Sequence, residues 1–112
     1  VTSDTAIPPS ALLADLELPD PSRLLPTQVR GATCAWCNER LTGATALDLG
    51  PRTEPILGVA GRWFPRGCVP CTLRQVLAAY KTHGMSCEQC VDDATLCDVQ
   101  RALRALALEL RR

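Results

Sequence analysis

Aromatic side chains are scarce in this 112-residue chain, which has one Phe, one Tyr and two Trp, with a single Met beside them. Leu, Val and Ala must supply most of any core, and at this length such a core needs a further staple to be stable. Net charge is absent as well, since 12 basic and 12 acidic residues cancel, so no global basic field draws the chain to nucleic acid. No run approaches the roughly 20 apolar residues of a membrane span, and no basic region followed by an apolar stretch opens the sequence. No membrane association is expected, and a cytoplasmic location, where thiols stay reduced, is.

Cysteine is what the chain has in excess. Seven are present, an odd number that cannot pair completely as disulfides, and six of them form C-x2-C pairs: Cys34/Cys37, Cys68/Cys71 and Cys87/Cys90. A disulfide framework has no physical reason to repeat that short spacing, whereas two thiolates on a tight turn can face one tetrahedral ion. The first expected metal site is Cys34, Cys37, Cys68 and Cys71. The second is His83, Cys87, Cys90 and Cys97, spaced H-x3-C-x2-C-x6-C. A lone histidine is usually a surface or core residue, but this one, the only His in the chain, stands at the expected end of a helix just before a cysteine pair. With it, the two sets use every Cys and the His with none left over. Two zinc ions are the expected cofactors, with iron left open at the all-cysteine site.

Residues 1–30 hold five of the nine prolines and read as an acidic tether carrying one short helix, about residues 11–18, capped by Ser10 and stopped by Pro19. Its leucines call for docking, on the chain itself or on a partner. The remainder, 31–112, is expected to form a two-zinc domain. The alternating run Ala44–Leu49, broken by Gly50-Pro51, the apolar run Ile56–Val59 and then Arg62-Trp63-Phe64 together predict a short antiparallel hairpin. Leu73, Val76, Leu77 and Tyr80 recur at helical spacing, so a helix is expected from about Pro70 to His83, with Gly84 as its stop. Asp92 or Asp93 is expected to cap a last helix in which Leu96, Val99, Leu103, Leu106 and Leu110 form an apolar stripe. Core packing and dimerisation are both open to that stripe, and so are monomer and homodimer. If one helix joins the two sites, Cys71 and His83 lie about 18 Å apart along it, far beyond the roughly 4 Å of a binuclear centre.

A cysteine knuckle, a hairpin and a helix whose first turn carries the second cysteine pair resemble, across about residues 31–83, the treble-clef zinc finger. The stretch Trp63-Phe64-Pro65-Arg66-Gly67-Cys68-Val69-Pro70-Cys71 is similar to the aromatic-rich approach to the ligands in LIM domains, although no histidine precedes Cys68 and the intervening loop is longer. Tyr80 to Cys90 resembles the H-x3-C-x2-C element of zinc-containing anti-sigma factors and of small actinobacterial zinc proteins. That resemblance implies ligand roles for His83, Cys87 and Cys90, while Cys97 lies downstream where those anti-sigma factors use an upstream ligand. The bias of eleven Arg to one Lys fits a GC-rich genome of that kind. The expected fold class is thus a small α+β zinc-stabilised domain, a treble-clef-like module over 31–83 followed by a second zinc site and a C-terminal amphipathic helix over 83–112.

An enzyme is not expected, because both sites fill four positions with protein ligands while catalytic zinc keeps one open. The zinc-deaminase pattern fails at Arg74, and no strand precedes Cys34 to make a thioredoxin-like motif. Free amides at the start of the Pro70 helix, with Arg62 and Arg66 close in sequence, are expected to favour the thiolates of Cys68 and Cys71. Three functions remain. One is a protein-interaction or regulatory module with another protein as partner, using the N-terminal leucines, Trp36, Trp63 and the C-terminal stripe. The second is a nucleic-acid-binding finger using Arg40, Arg52, Arg62, Arg66 and Arg74, since residues 30–86 carry seven basic against three acidic side chains. The third is a redox switch at His83 and its three cysteines, against which stands an inert staple.

Overall fold

A computed structural model describes residues 7–53, 61–93 and 97–111. The chain divides into two compact units: Glu17–Thr72, and Val1–Leu16 together with Leu73–Arg112. These boundaries differ from the expected tether over 1–30 and modules over 31–83 and 83–112. Residues 17–30 belong with the first cysteine set, and residues 7–16 belong with the C-terminal helices.

In the Glu17–Thr72 unit, a 3-10 turn at Pro21–Arg23 is closed by Asp20, whose carboxylate accepts from the Ser22 amide at 3.0 Å and the Ser22 hydroxyl at 2.9 Å. Those bonds, the amide first, lower the Asp20 pKa. Helix α2, Pro26–Val29, is a single turn begun by proline. A hairpin is present in which strand β1, Leu47–Asp48, pairs with β2, Arg66–Gly67; the expected run Ile56–Val59 lies outside the described residues. Arg52 and Trp63 add a further antiparallel bridge with reciprocal 2.8 Å bonds. Three residues lie between Asp48 and Arg52 where two lie between Trp63 and Arg66, so the first arm carries a one-residue bulge. Gly50, at φ 82°, supplies its left-handed residue. Trp63 is 2 % exposed, and Leu49 and Pro65 are buried in the same unit, while the buried cysteines Cys34, Cys68 and Cys71 cluster with Trp36 and Leu41. That corrects the expectation that Trp63 is a contact residue.

Gly67 shows how closely the hairpin approaches the knuckle. A methyl group there would stand 2.6 Å from Trp36 Cζ3 and 2.7 Å from Thr72 Oγ1. Gly67→Ala is expected to lower the stability of this unit by about 1–3 kcal/mol through overpacking. Urea unfolding followed by tryptophan fluorescence would check it, and an unchanged midpoint would mean that Trp36 moves aside freely.

Helix α3, Val69–Ser86, starts with Pro70 in its first turn but runs through Gly84 instead of stopping there. Its last turn is held by the Cys87 amide on the His83 carbonyl at 2.9 Å and the Ser86 hydroxyl on the Thr82 carbonyl at 2.9 Å. Gly84 serves close approach, since a Cβ there would lie 3.1 Å from Gln100 Nε2. Helix α4, Glu88–Asp93, follows, so Asp92 and Asp93 end a helix rather than cap one. Helix α5, Asp98–Leu110, begins at Cys97 in the N-cap position; Leu96 lies outside the described residues. Asp98 forms an ion pair with Arg101 one turn on. The α5 stripe faces inward through Leu103, Leu106 and Ala107, and Gln100 donates to the Tyr80 carbonyl of α3 at 3.1 Å. Helix α1, Pro9–Ala14, shorter than the expected 11–18, docks on α5 and buries Leu12, so the N-terminal leucines pack in cis. Among the described residues no helix is long and apolar enough to cross a membrane.

Candidate metal centres

The knuckle around Cys34 is a chain reversal built by backbone bonds. The Cys34 amide donates to the Glu39 carbonyl at 2.8 Å, the Asn38 amide to the Cys34 carbonyl at 2.9 Å and the Leu41 amide to the Ala32 carbonyl at 3.1 Å, with Thr33 and Arg40 bridging. Asn38, at φ 63°, takes the left-handed conformation that asparagine tolerates better than most residues. The same turn aims the Trp36 amide at Cys34 Sγ, 3.4 Å away. Cys68 precedes α3 and accepts the Thr72 amide on its carbonyl at 3.0 Å, and Cys71 lies in the helix's first turn.

These elements bring Cys34, Cys37, Cys68 and Cys71 together, and α3, α4 and the start of α5 bring together His83, Cys87, Cys90 and Cys97. Within each set the ligand atoms all lie within 4.8 Å of one another. Cys37 and Cys68 sulfurs are 3.8 Å apart, which matches the edge of about 3.8 Å in a tetrahedron with metal–sulfur bonds of about 2.3 Å. His83 Nε2 stands 3.2 Å from Cys97 Sγ, somewhat inside the mixed nitrogen–sulfur edge of about 3.6 Å that the same geometry gives. None of the seven cysteines is in a disulfide. Each set can hold one metal ion. In the first, Cys34, Cys68 and Cys71 are buried and Cys37 is exposed; in the second, Cys90 and Cys97 are buried while His83 and Cys87 are half-buried.

The electrostatics distinguish the cysteines. Burial opposes ionisation of Cys34, but the amides of Cys68, Cys37 and Trp36 outweigh it and lower its pKa to about 7. The expectation that helix-start amides, with Arg62 and Arg66, favour the thiolates of Cys68 and Cys71 does not hold: both arginine side chains are exposed, and burial wins at both thiols. Burial raises the pKa of Cys68 and of Cys71, and the neighbouring thiols Cys68 and Cys37 add to the rise at Cys71. Burial, with Cys97 and Cys87 beside it, pushes Cys90 up to about 12. Thiols packed like this resist ionisation until a dication joins them, and then they ionise outright.

Two supporting groups carried no signal in the sequence. Gln28 of α2 is buried at 7 % exposure, and its side chain bonds to three backbone groups, two of them in the Cys34 knuckle. The Glu17 carbonyl accepts from Trp36 Nε1 at 3.3 Å. Both lie in the segment read as a tether, where proline content masks any pattern. Comparison with known proteins found no matching family model, no matching curated protein and no matching solved structure.

Proposed function

We propose that the chain is a zinc-binding, non-enzymatic protein-interaction or regulatory module whose two ions are structural staples. One observation carries the reading: every cysteine and the only histidine fall into two four-ligand sets, with no metal-binding thiol or imidazole left over. Four protein ligands close a tetrahedral ion, and a closed ion lacks the position that a catalytic water needs. Sets of four sulfurs, and of three sulfurs with one nitrogen, suit zinc better than the harder divalent ions. The order of parts around the first set, knuckle, short hairpin and helix with a cysteine in its first turn, supports assigning it to the treble-clef kind. A protein partner is favoured over nucleic acid by zero net charge and by exposed apolar side chains: Phe64 at 54 %, Met85 at 71 %, Leu25 at 52 % and Leu108 at 48 %.

The test is elemental analysis with zinc X-ray absorption on protein purified without added metal. About two zinc ions per chain with only sulfur and nitrogen in the first shell is the expected result. An oxygen ligand at either ion would reopen a catalytic position and overturn the non-enzymatic assignment.

A further inference from the structure

We propose that Gln28 is the positioning residue of the first metal centre, setting the peptide planes of the Cys34 knuckle so that, in the folded chain, an amide faces the Cys34 sulfur and the two cysteine pairs are held at ligand spacing. The inference rests on the reading of Cys34, Cys37, Cys68 and Cys71 as metal ligands.

Gln28 Oε1 accepts the Leu25 amide at 2.9 Å, which fixes the side chain against its own helical turn. Nε2 then donates to the carbonyls of Cys34 at 3.1 Å and Ala35 at 3.3 Å. Both amide protons and the oxygen are thus used. The orientation follows from the partners, since a flipped amide would set its oxygen against two carbonyls and its nitrogen against an N–H donor. No apolar residue of that size could replace these donors: the Ala35 carbonyl would lose the Gln28 amide, and the Cys34 carbonyl would keep only the Asn38 amide.

The consequence for the metal follows from peptide planarity. In a trans peptide the N–H points opposite to the C=O. Drawing the Ala35 carbonyl to Gln28 turns the Trp36 amide the other way, onto Cys34 Sγ at 3.4 Å. Drawing the Cys34 carbonyl to Gln28 turns the Ala35 amide onto the Arg66 carbonyl at 2.9 Å, which ties the knuckle to β2 just before Cys68. One buried side chain therefore aims an amide at a ligand sulfur and sets the spacing between the two cysteine pairs. Residues that orient ligands in this way commonly change metal affinity by about ten- to a hundredfold when replaced.

The experiment loads the full chain with cadmium-113 and follows its two NMR resonances, one from the four-sulfur set and one from the three-sulfur, one-nitrogen set, as EDTA removes the metal. Gln28→Met keeps length and apolar volume but loses the donors; Gln28→Glu keeps the shape and presents a carboxylate to the two carbonyls. Both variants are expected to shift the four-sulfur resonance and to speed its loss about ten- to a hundredfold, while the other resonance decays at the wild-type rate. Wild-type decay of the four-sulfur signal in both variants would overturn the role of Gln28 and leave the metal reading standing. So would equal acceleration at both sites, the mark of a general loss of stability. A wild-type chain lacking the four-sulfur resonance would overturn the metal reading and the inference with it.

Discussion

Removing metal from the purified chain with a chelator is expected to abolish most of its far-ultraviolet helical signal, and returning zinc is expected to restore it. The cores are too thin to stand alone. Among the described residues the strand pair is two residues long, α1 and α4 have six residues each, and cysteines account for five of the fourteen buried hydrophobic residues. Helices that short are not stable in isolation. A structural zinc site contributes on the order of 10 kcal/mol, comparable with the whole stability of a typical domain at about 5–15 kcal/mol. The residual structure of the metal-free chain should also depend on pH. Cys90 rises from an ordinary 9.0 to about 12 in the fold, so the stability linked to it is present below pH 9 and is lost as pH climbs toward 12. Cys34, lowered to about 7, acts in the opposite sense, and its contribution is lost as pH falls through 7. Circular dichroism across pH, with and without chelator, would check both statements. A chelated chain that kept its helical signal would show that burial alone suffices and that the ions are not staples.

The two clusters that could hold metal were legible because cysteine spacing is local: two residues between thiols is a property of one turn, whatever the rest of the chain does. The course of α3 was legible for the same reason, since Pro70 and the recurrence of Leu73, Val76, Leu77 and Tyr80 are contained within it. What failed to show was non-local. Gly84 reads as a stop until the Gln100 side chain is seen lying against it. Strand β2 falls outside the expected hairpin runs, because two residues carry no periodicity and their partner, Leu47–Asp48, lies some twenty residues earlier. The start of α5 is displaced to Cys97 because the second cluster needs that sulfur at the head of the helix, a demand that capping preferences at Asp92 and Asp93 do not encode. Gln28 is the extreme case. Its value comes from two carbonyls six and seven residues away, inside a segment whose prolines suggest no order.

Replacing His83 with alanine should separate the two centres. The loss of one ligand from the second set leaves three thiols to hold an ion that prefers four donors, so metal content is expected to fall from about two ions per chain to about one. The remaining ion belongs to Cys34, Cys37, Cys68 and Cys71, since those ligands all lie in the Glu17–Thr72 unit and His83 does not. Helical signal should fall as well, because α4 and the start of α5 carry Cys90 and Cys97, the two buried ligands of the lost site. Tryptophan fluorescence should hardly change, as Trp36 and Trp63 are both in the other unit. A loss of both ions would mean that the second centre is required for the first to form, so that the staples are not independent. One ion in wild type and variant alike would mean that His83 is no ligand. Cys87, Cys90 and Cys97 would then be left as free thiols of one cluster, and reversible oxidation among them would become the chemistry to pursue.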